Sequence, residues 1–137
     1  MVKNITSIRV RYADTDKMQF VYNGKYFEYF EVGRAEMLRA YGLSYAEVEE
    51  AGYHLPLIEA GIKYFTPANY DDLLEIEAIV RELITPKVHI EYRITRSNGE
   101  DLIAEGFTTH AFIKADSKKA ARPPRFYIDA LAPYFKS

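Results

Sequence analysis

With 137 residues the chain has the length of one domain, and 48% hydrophobic and 28% charged residues mark a globular fold rather than a disordered one. A formal charge of -2 gives no global pull toward nucleic acid or an anionic membrane surface. The absence of cysteine excludes a disulfide framework, a thiolate metal site, an iron–sulfur cluster and a cysteine nucleophile together.

Met1 to Thr6 hold no apolar signal core, and no apolar run approaches the roughly 20 residues that span a bilayer. A soluble cytoplasmic protein is expected, a single domain over 1–137. Ile5 to Tyr12 reads as a strand with Ile8, Val10 and Tyr12 on one face and Arg9 and Arg11 on the other. Ala13 to Lys17 has the composition of a turn. A long helix is predicted from about Asn23 to Tyr41. Tyr26, Phe27, Phe30, Gly33, Met37 and Leu38 make its apolar stripe, and Tyr29 and Val32 widen it. Asn23 is the expected N-cap and Gly42 the expected terminator. Ser44 to Glu47 carries a capping-box pattern that opens a short second helix ending near Gly52.

From His54 the period changes to two. His54 to Phe65 reads as one long strand, irregular at Gly61, and Pro67 to Asp72 as a loop. Leu74, Ile76, Ala78 and Val80 alternate with acidic residues, and Val88, Ile90, Tyr92 and Ile94 alternate with His89, Glu91, Arg93 and Thr95. Ser97-Asn98-Gly99-Glu100 is a hairpin signal, Leu102 to Ala115 the returning strand, Asp116 to Arg122 a polar loop, and a helical tail starts near Phe126. Strand, long helix and four strands make an α+β fold with an antiparallel sheet. Nothing remains in the chain to cover the sheet's other face and edge, so self-association is expected.

Three groups of residues invite chemistry. Asp14-Thr15-Asp16 precedes the long helix; the residues serve as turn and capping groups, or supply a carboxylate base or nucleophile beside the free amides of a helix start. Glu31 and Arg34, one turn apart, read first as an intrahelical ion pair and second as an active-site acid with its neighbour. Lys114, Lys118, Lys119, Arg122 and Arg125, with Lys87 and Arg96, are a solvated loop or a phosphate-binding edge. His54, His89 and His110 are too scattered for a metal site, so no metal is expected, and no G-x-S-x-G elbow supports a serine triad. Nucleic-acid binding would need aromatics interleaved with the basic residues.

Tyr12-Ala13-Asp14-Thr15-Asp16, Val21-Tyr22, Tyr26, Phe30-Glu31, Arg34, Glu36 and Leu38 resemble the signature of the hotdog-fold acyl-CoA thioesterases of the 4-hydroxybenzoyl-CoA thioesterase type. The likeness runs on through Tyr64 to Ala68, Tyr70-Asp71-Asp72 and Arg125. It implies a hotdog: an antiparallel sheet of about five strands wrapped around one long helix. It also implies hydrolysis of an acyl-CoA thioester to acid and CoA with no cofactor.

Residue by residue, the resemblance makes Asp16 the nucleophile or general base and gives the backbone near Tyr22 and Asn23 the carbonyl oxygen to hold. Tyr12 would line the site. Glu31 matches the helix motif, and Lys87, Arg122 and Arg125 are candidates for the CoA nucleotide. It further implies a site at a subunit interface, in a homodimer or homotetramer, with an acyl-CoA or an acyl-carrier protein as partner.

Two positions depart from the family pattern. Gln19 stands where a Gly is usual, and a Gly, unlike a Gln, allows unusual backbone angles. Its side chain is expected to face substrate or a water. Asn23 stands where many members carry His; an amide orients a substrate but is no base near neutral pH. Both changes motivate the alternative of a hotdog module that binds an acyl-CoA or acyl-carrier protein without cleaving it.

Overall fold

A computed structural model describes residues 1–96 and 101–135, so the hairpin signal at 97–100 lies outside the described residues. In chain order the elements are β1 (Val2–Arg9), α1 (Lys25–Ala40), α2 (Tyr45–Glu50), β2 (Tyr53–His54), β3 (Leu57–Tyr64), β4 (Leu73–Val80), β5 (Val88–Arg96), β6 (Leu102–His110), β7 (Phe112–Lys114), β8 (Ala120–Ala121) and α3 (Arg125–Leu131). The sheet runs β1-β4-β5-β6-β3, every pair antiparallel. This is the expected α+β hotdog, with a five-stranded sheet against a helix of 16 residues.

The alternation in β4 and β5 works as read: Leu74, Ile76, Ala78, Val80, Val88, Ile90, Tyr92 and Ile94 are all buried. α1 lies on β1, β4 and β5. Its Phe30 ring stacks on Tyr92 at 4.3 Å, and burial of such a ring stabilises by roughly 1.5–3 kcal/mol. Gly33 lets the helix approach the sheet: a Cβ there would lie 2.7 Å from Ile76 Cγ2. At the far end Gly42 adopts φ +86°, and the amides of Gly42 and Leu43 donate to Arg39 and Leu38 carbonyls at 3.1 and 2.8 Å. These two bonds satisfy carbonyls the helix end would otherwise leave bare. The next residue but one, Ser44, caps α2 by accepting the Glu47 amide.

Several boundaries differ from the sequence reading. β1 ends at Arg9, and Tyr12 opens a one-turn 3-10 helix with its ring exposed, because the chain turns to set Asp14 under α1. α1 begins two residues late; Gly24, not Asn23, is the N-cap, and no side chain caps the helix. The stretch His54 to Phe65 is broken at Leu55-Pro56, and its irregular register falls between Leu57 and Glu59 rather than at Gly61. Proline has no amide for a ladder, so a break there follows from its chemistry. The returning strand divides at Ala111: β7 leaves the main sheet and joins β2 and β8 in a second sheet ordered β2-β7-β8.

The two edges of the main sheet are unlike. Along β1, Lys3 and Arg9 are exposed and the Tyr41 hydroxyl donates to the Lys3 carbonyl at 3.0 Å. Along β3, Leu57 and Ile58 are about half exposed, at 50% and 47%.

Candidate active site

The two aspartates of the turn have opposite surroundings. Asp14 is buried, 1% exposed. Its Oδ2 accepts the Arg11 amide at 3.1 Å and the Tyr29 hydroxyl at 2.9 Å, and its Oδ1 accepts the Arg11 guanidinium at 3.0 Å. Burial alone would raise its pKa; the bonds from Arg11 and Tyr29 outweigh burial and hold it below the usual carboxylate value. Burial, and then Asp14 itself, push the Tyr29 hydroxyl far above its ordinary range, so it stays a donor.

Asp16 is exposed at the tip of the loop. Its Oδ1 accepts the amides of Met18 at 2.9 Å and Phe20 at 3.2 Å, which fixes the rotamer, while Oδ2 has no partner among the described residues. The loop closes behind it: Asp16 N–H donates to Phe20 C=O at 2.8 Å, Gln19 N–H donates to Asp16 C=O at 2.9 Å, and Thr15 bridges to Val21. To make this turn Gln19 takes φ +67°. The usual glycine geometry is thus kept without the glycine, against the expectation that a Gln would not adopt it.

The helix start divides its donors. The Tyr22 amide, expected to be available, donates to the Asp14 carbonyl at 2.9 Å. The amides of Asn23 and Gly24 have no acceptor among the described residues. Free amides at a helix start carry partial positive charge suited to a developing oxyanion. The Tyr64 hydroxyl fastens this corner by donating to Asn23 C=O at 3.1 Å. Around it Tyr12 meets Tyr70 edge-on at 5.7 Å, and Met18, Tyr22 and Phe65 are exposed.

The remaining expected residues fall elsewhere. Glu31 is exposed and forms no ion pair with Arg34 among the described residues; Arg34 turns inward and donates Nε–H to Tyr45 at 3.0 Å. Lys87 lines a cleft of about 470 Å³ with Arg81, His89 and Glu91. Arg122 and Arg125 line a second, of about 400 Å³, and Thr85 belongs to both. These basic residues sit at the end of the sheet where Val2 pairs with Val80, and Asp16 lies beyond the end where Arg9 pairs with Leu73. An eight-residue strand separates the ends, about 25 Å at 3.3 Å per residue. Residue type alone does not reveal the contribution of Tyr29, which in the sequence only widens the apolar stripe of the helix.

A family model described as the thioesterase-like superfamily matches residues 10–131. The chain belongs to that superfamily. Acyl-CoA thioesterase YbgC of Haemophilus influenzae is 33% identical over 91 residues, 66% of this chain and 67% of its own. The crystal structure of DHNA-CoA thioesterase from Staphylococcus aureus superposes with a TM-score of 0.88 at 32% identity, over 98% of this chain and 89% of that one. The fold also matches 4-hydroxybenzoyl-CoA thioesterase, TM-score 0.84 at 20% identity over 95% and 99% of the two chains. The expected thioester hydrolase of the 4-hydroxybenzoyl-CoA thioesterase type is therefore borne out at the level of family and fold. No helix among the described residues is long and apolar enough to cross a membrane.

Proposed function

We propose that the protein hydrolyses acyl-CoA thioesters, with Asp16 as the reacting carboxylate. The observation that carries this reading is an exposed carboxylate, pinned through one oxygen, on the loop that runs directly into the Asn23 and Gly24 amides, which have no acceptor among the described residues. Asp16 Oδ2 attacks the thioester carbon, the carbon–sulfur bond breaks with CoA leaving as the thiolate, and water then cleaves the Asp16–acyl anhydride to release the acid; alternatively Asp16 takes the proton of a water that attacks the carbon directly and passes it to the departing thiolate. The Asn23 and Gly24 amides receive the charge that gathers on the carbonyl oxygen, the role in which preorganised donors contribute most. Gln19 and Tyr12, on the rim, contact the acyl or pantetheine part.

In one chain Asp16 and the basic residues lie too far apart to serve one ester comfortably, and β3 is an edge strand with Leu57 and Ile58 half exposed. A second copy paired along β3, antiparallel about a two-fold axis, brings the Lys87, Arg122 and Arg125 end of one chain to the Asp16 end of the other. The reading is thus a cytoplasmic homo-oligomer that takes acyl groups from CoA or from an acyl-carrier protein. The test is thiol release from a panel of acyl-CoAs by the wild type and Asp16→Asn. Turnover that falls by about 10²-fold or more in the variant is expected. Tight binding of every acyl-CoA with no thiol release by the wild type would favour the non-cleaving module to which Asn23 lends support.

A further inference from the structure

We propose that Asp14 and Tyr29 act as a positioning pair that holds the Asp16 loop against the start of α1; the proposal rests on the thioesterase reading. Asp14 is the one residue that ties together the chain before the loop, the chain after it and the helix. Arg11, leaving β1, gives its amide and guanidinium to the carboxylate and accepts the Asp14 amide at 3.0 Å. Tyr22, on the far side of the loop, gives its amide to the Asp14 carbonyl. Tyr29, in the second turn of α1, gives its hydroxyl, and Lys25, in the first, brings its ammonium within 3.8 Å while also pairing with Glu28.

The loop from Thr15 to Val21 therefore stands on a base fixed at both legs, and the base is bolted to the helix that the Asn23 and Gly24 amides lead into. A sliding of α1 against the loop would change the distance between Asp16 and the Asn23 and Gly24 amides. Displacements of about 1 Å at such sites cost roughly 10²-fold in rate. Asp14 does not react itself: it is buried and both its oxygens are occupied. Nor is stability a sufficient reason for its charge, since a buried ion pair is commonly no more stabilising than well-packed apolar groups. Geometry is what an ionised, triply bonded carboxylate supplies.

Asp14→Asn puts an amide in place of one carboxylate oxygen, so that oxygen can no longer accept; Tyr29→Phe removes a single hydroxyl and keeps the ring. With an acyl-CoA that the wild type turns over, kcat is expected to fall about tenfold or more in each variant while KM stays within about threefold. The double variant should be no slower than Asp14→Asn, because the two act through one contact. Lower melting temperatures with kcat per folded enzyme unchanged would overturn the proposal, as would additive losses. Should Asp14→Asn fail to fold, the kcat against KM split in Tyr29→Phe decides alone. A wild type with no turnover overturns the thioesterase reading instead, and this pair's role with it.

Discussion

Arg34 donates its Nε–H to the Tyr45 hydroxyl at 3.0 Å, and Glu31, one turn earlier on α1, stays in solvent. The guanidinium is thus half inside the protein with phenols for company. Burial works against its charge, and Tyr92 and Tyr45 more than offset that. Tyr45→Phe should therefore cost about 1.5–3 kcal/mol, a hydrogen bond to a charged group. Glu31→Gln should change stability by less than about 0.5 kcal/mol. Urea unfolding of both variants measures the contrast.

The same charge bears on a histidine. His110 is buried; its Nε2 meets Thr108 Oγ1 at 2.9 Å, Thr108 meets the Tyr92 hydroxyl at 2.6 Å, and its Nδ1 makes no well-formed hydrogen bond among the described residues. Burial first and the Arg34 charge second push His110 down from 6.5 to about 4, a smaller opposing pull coming from the Leu55 carbonyl. The unfolded chain takes up this proton near pH 6.5 and the folded one only near pH 4. Stability is then complete above pH 6.5 and declines as pH falls toward 4, by at most about 3 kcal/mol. His110→Gln should flatten that part of the profile, read as urea midpoint against pH.

Gln19 holds φ +67° with a Cβ in place. The left-handed conformation costs such a residue about 1–2 kcal/mol, and glycine returns part of that through its freer unfolded chain. Gln19→Gly should stabilise by about 0.5–1 kcal/mol, seen as a rise in melting temperature. A drop would mean that the side chain holds the loop by contacts.

Gly33 predicts the reverse. Alanine is the better helix former by about 1 kcal/mol, yet its methyl would lie 2.7 Å from Ile76 Cγ2. Gly33→Ala should destabilise by about 1–3 kcal/mol as α1 is pushed off β4. Calorimetric unfolding of the variant distinguishes crowding from propensity by its sign.

What the chain reveals before folding follows the range of the interactions concerned. β4 and β5 are legible because alternate residues face one core, and Gly42 because a helix end asks for a positive φ within a few residues. Ser44 with Glu47 is as local. The aspartates are not separable this way: Asp14 and Asp16 share a type and a turn, and what buries one is Tyr29, fifteen positions away. The Glu31–Arg34 pair was a sound local expectation that Tyr45, on another helix, outcompeted. Pro56 marks the break before β3 by its chemistry, since it has no N–H to give a ladder. The likeness to known thioesterases is what singles out Asp16 as the proposed reacting carboxylate, whereas the positive φ of Gln19 and the occupied Tyr22 amide appear only with the backbone traced.

The unequal edges of the main sheet bear on how far copies can add. Were both edges open and apolar, each new chain would offer another docking edge and the sheet would lengthen into a ribbon. Here both edges carry charges and an exposed aliphatic residue, but on β1 Tyr41 already occupies a carbonyl that a neighbouring strand would need. Under the proposed pairing along β3, the edge left on each chain is the one Tyr41 already occupies, so edge-to-edge growth would stop at two and give a closed assembly rather than a fibre.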